Sequence, residues 1–105
     1  MRAGALDRRI LIQRPEQTQD EHGQPVVVWT LFADVAAEVR PLRGVERFTA
    51  QQVAADIDTV FRIRWLPGIS PVMRVLYDGR VYDIKAAPEI GRRDGLEIHA
   101  KARAE

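Results

Sequence analysis

MRVLYDGRVYDIK, residues 73–85, decides the fold. Two runs of alternating apolar and polar residues flank Asp78-Gly79, a dipeptide that favours the two-residue hairpin turn because it tolerates φ > 0 at both central positions. Such a turn fixes the register. It pairs Tyr77 with Arg80, Leu76 with Val81, Val75 with Tyr82, Arg74 with Asp83 and Met73 with Ile84. Met73, Val75, Tyr82 and Ile84 then share one face as a core quartet. Arg74 and Asp83 face each other on the opposite side as a complementary cross-strand pair.

The same period of two recurs in both directions along the chain. Downstream, a second Asp-Gly at Asp94-Gly95 precedes LEIHAKA, where Leu96, Ile98, Ala100 and Ala102 alternate with Glu97, His99, Lys101 and Arg103. This predicts the last strand. Its partner, AAPEIGRR, is weaker because Pro88 cannot donate to a ladder and suits an edge or a bulge. Upstream, LPGISP reads as a loop after DIDTVFRIRW, which places Ile57, Phe61, Ile63 and Trp65 inward and leaves Asp58, Val60, Arg62 and Arg64 on a wet outer face.

Further upstream, Val27, Trp29, Leu31, Ala33, Val35, Ala37 and Val39 are apolar at alternate positions, predicting one continuously buried face. At about 3.3 Å per residue such a strand is long for a small domain, and a bend or bulge near Phe32 to Asp34 is the expected accommodation. RRILIQRP reads as a first strand ended by Pro15, and PEQTQDEHGQP as a solvated loop between Pro15 and Pro25. Roughly six strands in one domain spanning 1–105 predict a mainly β fold, a small curved-sheet barrel or sandwich with one short helix or long loop inserted between strands.

That insertion is LRGVERFTAQQVAADI, residues 42–57. Gly44 can cap, Glu46 suits the positive end of a helix, and good helix formers follow, so Val45 to Ala55 reads as helical. Its apolar face is thin. Val45 and Phe48 share a stripe, but Val53 lies about 140° from Phe48 around the axis at 3.6 residues per turn. Two readings stay open here: a plug seated in one barrel mouth through Phe48, or a segment that works between molecules.

The chain has 105 residues, 16 basic against 15 acidic, a net charge of +1 and no cysteine. The charge balance provides no general attraction to nucleic acid or anionic membrane, and the missing cysteines exclude disulfides, thiolate metal sites and a Cys nucleophile. The start MRAGALDRRILIQRP has no signal-type apolar run, and no window approaches the length of a membrane span, so a cytoplasmic protein is expected. Fourteen of the basic residues are Arg, a bias that codon usage explains. His22 in the polar loop and His99 on an outer strand face make a poor metal pair. Asp56 and Asp58 flank a loop exit, and only a pocket uniting them with His99 would suggest a hydrolase. With no phosphate loop and no nucleophile elbow, an enzyme is not expected, and neither a cofactor nor a small-molecule substrate is implied. Arg62 and Arg64 with Phe61 and Trp65 resemble a single-strand-binding sheet, but alternation puts rings and guanidinium groups on opposite faces. A small β-barrel nucleic-acid-binding module is the alternative reading.

The ordered set RAGALDRRI, RPLRG followed by ERF and AQQ, and the strand-PGI-P-strand-DGRVYDI block resembles the phage head-tail joining proteins, the head-tail adaptor or stopper family of long-tailed bacteriophages and prophage-derived particles. The resemblance runs from about Arg2 to about Ala102. It implies a β-barrel subunit of a homo-oligomeric ring below the portal or adaptor protein and above a tail protein. Double-stranded DNA passes through the channel. The setting is the host cytoplasm during assembly and the head-tail junction afterwards, with no membrane involved. The resemblance makes the segment from Arg43 to Asp56 the channel or gating loop, with Arg43, Gly44, Val45, Glu46, Arg47, Phe48, Thr49, Ala50, Gln51 and Gln52 as its working residues. Arg8, Arg9, Arg14, Arg62 and Arg64 are the candidate contacts to neighbouring subunits or partners.

Overall fold

The computed structural model describes residues 5–42 and 57–104. Seven antiparallel strands follow in order: β1 (Arg8–Gln19), β2 (Pro25–Pro41), β3 (Thr59–Ile63), β4 (Arg74–Tyr77), β5 (Arg80–Ala86), β6 (Glu89–Ile90) and β7 (Gly95–Ala102). The ladder runs β3-β2-β1-β4-β5-β7-β6, and a further β3–β7 pairing closes six of the strands into a ring. Closure removes most exposed edges, which an open sheet of this size would have to protect. The seventh strand is a two-residue addition beside β7. No helical element occurs among the described residues, and the helix expected over 45–55 lies outside them.

The β4–β5 hairpin has the predicted register: Arg74 opposite Asp83, Val75 opposite Tyr82, Leu76 opposite Val81 and Tyr77 opposite Arg80. Asp78 and Gly79 both take positive φ, 53° and 76°, as a type I′ turn requires. Met73, Val75, Tyr82 and Ile84 are all buried. They line the barrel with Ile10, Ile12, Phe61, Ile63, Leu96, Ile98 and Ala100. At the centre, Phe61 meets the rings of Tyr77 and Tyr82 edge-on, with centroids 5.9 and 5.1 Å away. The β6–β7 connection departs from the two-residue pattern: Gly91 and Arg93 supply its positive φ, and Gly95 already belongs to β7.

Three expectations are corrected. The first strand does not stop at Pro15; it continues to Gln19 and pairs with β2 to its end, Gln19 opposite Pro25. Proline is tolerated because β4 accompanies β1 only as far as Gln13, so Pro15 sits on an otherwise unpaired edge. The polarity of residues 15–19 thus marks a strand wet on both faces, and the true loop shrinks to 20–24. There the Asp20 carboxylate accepts the amides of His22 and Gln24, each at 2.9 Å.

The second correction concerns β2. Ile12 pairs with Ala33 but Gln13 with Leu31, leaving Phe32 as the extra residue of a bulge. A bulge had been expected there; its consequence is that parity inverts across it. Ala33, Val35, Ala37 and Val39 continue the core face, whereas Val27, Trp29 and Leu31 go to the face of Gln13. The predicted continuous buried face is therefore broken, with Val27 and Leu31 58% and 59% exposed. Phe32 itself packs against the core, beside Gly68, where a Cβ would lie 3.2 Å from its ring and φ is +92°. Finally, the outer face of β3 is not uniformly wet, because Val60 is buried between Arg40 of β2 and His99 of β7.

Candidate functional site

Past Gln13, β1 and β2 leave the barrel as a two-stranded ribbon, which stretches the molecule to 49 × 28 × 24 Å. Its two faces differ in chemistry. On one lie Arg14, Glu16, Thr18, Val26, Val28 and Thr30, with Arg14 and Glu16 paired at 3.3 Å. The other carries Pro15, Gln17, Gln19, Pro25, Val27, Trp29 and Leu31, with no charge at all. Four of the five exposed large hydrophobic residues, Val26, Val27, Val28 and Leu31, belong to this ribbon.

Trp29 anchors the ribbon to the barrel's outer surface. The Arg74 guanidinium lies 4.1 Å from its ring centroid and that of Arg103 5.8 Å away, both in cation–π range. Arg74 Nε donates to Gln13 Oε1 at 2.7 Å, and Arg103 Nη2 reaches Asp83 at 2.8 Å. Arg74 and Asp83 thus face each other as expected, while the ion pair of Asp83 is made with Arg103. Burial and the neighbouring Arg103 lower the Arg74 pKa, against the raising effect of Asp83.

On another part of the outer surface Glu97 takes Arg62 at 2.8 Å and His99 Nε2 at 3.2 Å. Burial pushes the Glu97 pKa up, but the hydrogen bonds and charges of His99 and Arg62 outweigh it and hold the carboxyl below its ordinary value. At the barrel end opposite the ribbon, Leu42 N–H donates to Asp58 C=O at 2.8 Å, so the chain leaves β2 and returns to β3 at one place. Asp58 is a structural acceptor there, taking Ala102 N–H at 3.1 and 3.2 Å and the Thr59 hydroxyl at 3.1 Å. His99 is committed to Glu97, and Asp56 lies outside the described residues, so the hydrolase arrangement does not form among the described residues.

Four of the five predicted contact arginines have an acidic neighbour within the chain. Arg9 pairs with Asp34 at 2.9 Å, Arg14 with Glu16, Arg62 with Glu97, and Arg8 approaches Asp7 at 4.0 Å. Arg64 is exposed just past β3. The gating residues 43–52 fall outside the described residues. Phe61 is fully buried and Trp65 half-buried, its Nε1–H donating to Glu89 at 3.3 Å, so no aromatic platform accompanies Arg62 and Arg64. What sequence reasoning missed is the ribbon. Pro15 and the polar residues after it hid a strand, and the parity change at Phe32 moved Val27, Trp29 and Leu31 from the expected core to the surface.

Comparison with known proteins fits this architecture. A solution structure of protein SF1141 from Shigella flexneri 2a superposes with a TM-score of 0.81 at 26% identity, covering 100% of this chain and 99% of that one. A chain in the virion of a native gene transfer agent particle matches with a TM-score of 0.65 at 22% identity, covering 93% and 96%. Among curated proteins none matches. The family model described as Phage head completion protein matches residues 1–103. The chain therefore belongs to the phage head completion protein family, structural proteins of virion assembly.

Proposed function

We infer that the chain is a subunit of the head-tail connector, a homo-oligomeric ring that closes or extends the DNA channel below the portal and offers the tail its docking surface. The observation that carries this reading is the family match over residues 1–103, which supports a position in the head-tail region among other virion proteins. Asymmetric features support the ring: a ribbon leaving one end of the barrel, while β2 ends and β3 begins at the other, suits heterologous contacts, which close only when the rotation between subunits completes a circle. Arg43 to Gln52 are the gating residues of this proposal. Arg43 and Arg47 are balanced by Glu46 and Asp56, which suits a plug or sliding surface, since each retained phosphate contact would resist ejection. Imaging of particles assembled without this protein is expected to reveal emptied, tail-less heads; normal particles would reject the reading.

A further inference from the structure

We propose that the β1–β2 ribbon is an arm that seats on a second copy of this chain, its uncharged face supplying the contact and its acidic tip meeting a basic barrel rim. The connector-ring reading provides the biological setting; the contact itself is argued from this chain's own surfaces.

The arm's uncharged face has the composition of an interface centre, where charges are depleted and aromatic residues enriched. Its two edges are unequal. The β1 edge is interrupted by Pro15, while no described strand pairs with β2 on its far side between Pro25 and Ala37, because β3 joins only at Glu38. A long apolar edge of this kind is a pairing hazard unless a partner covers it. Val72, 65% exposed, adds to the same region, two residues before Arg74, whose partner is Gln13.

Charge identifies the occupant. Residues 14–25 carry one base and three acids, a net charge of −2, so the rest of the chain carries +3 of the total +1. The acids at the tip are Asp20 and Glu21. Strand directions put Arg64, Lys85, Arg92 and Arg93 at the barrel end from which the ribbon springs, against the two acids Glu89 and Asp94, which leaves that rim net positive; Arg64, Lys85 and Arg92 are exposed and without an ion-pair partner among the described residues. An extended ribbon of six residue pairs holds its tip about 20 Å beyond that rim, so a second copy's rim is the one available to it. One arm face, about 20 Å by 10 Å, is small against the roughly 800 Å² per partner of a standard interface. A single arm contact is therefore weak, and a closed ring, in which each subunit gives one arm and receives another, strengthens it.

The chain has no cysteine, so an engineered disulfide reports the contact directly. A chain carrying Glu21→Cys and Arg92→Cys, oxidised at high concentration, is expected to form a ladder of covalent multimers, whereas each single variant stops at a dimer or monomer. Sedimentation of Glu21→Lys and of the Arg64→Glu, Arg92→Glu double variant should each find association weakened about tenfold, with mixing of the two restoring it. An intrachain disulfide, no ladder, or association indifferent to both reversals overturns the arm contact. Failure of that contact with emptied, tail-less heads still produced in its absence leaves the connector reading standing; a ladder with normal particles does the reverse.

Discussion

Phe61 is fully buried in the barrel core and edge-on to two tyrosine rings. Truncating it removes ring contacts on several strands and leaves a cavity, so Phe61→Ala is expected to cost about 3–5 kcal/mol, read as a lower denaturation midpoint with unchanged slope. Asp58 acts through hydrogen bonds. Asp58→Ala leaves the Ala102 amide without its acceptor, and a loss of about 1–3 kcal/mol should appear with faster amide exchange at the end of β7. Glu97 provides a pH signature. Its folded pKa lies below the unfolded value, so its contribution is present above about pH 4.5 and is lost as the pH falls through the folded value. Glu97→Gln should therefore lower stability at neutral pH and flatten the acid limb of a midpoint-against-pH curve; a limb as steep as the parent's would assign the acid sensitivity elsewhere.

At the scale of elements, the ribbon and the barrel are separable. Glu16 and Val28 are register partners, so replacing residues 17–27 with Asn-Gly joins them through a two-residue turn and removes the outer arm. Because the lost residues are exposed and contribute nothing to the core cluster, and Trp29 keeps its contact with Arg74, the melting temperature should stay within a few degrees of the parent, with the barrel's circular dichroism retained. A cooperative collapse would mean that the ribbon helps hold the barrel closed. The hairpin at 73–85 was legible in the sequence because turn chemistry and alternation agree there. The ribbon was not, because its polar residues obey no burial pattern: strand pairing satisfies backbone groups whether or not a side chain is hidden.

For the molecule as a whole, the exit from β2 and the return into β3 are joined by the Leu42–Asp58 hydrogen bond, so the two strands meet there directly. Deleting Val45 to Gln52 is expected to leave thermal stability within a few degrees of the parent while yielding particles that lose DNA. A large fall in stability would make the segment part of the core and remove it as a gate. The ribbon leaves from the opposite end of the barrel.

Composition, alternation and the Asp78-Gly79 turn by themselves determined a small, charge-balanced β protein, the hairpin register and the inward quartet, since these depend on neighbours in sequence and on a period of two. Only the tertiary structure decided that Phe32 is the extra residue, that Pro15 lies on an open edge, and that Val27 and Leu31 face outward. The reason is geometric. One inserted residue inverts every side chain beyond it, and where the insertion falls depends on the strand across the ladder.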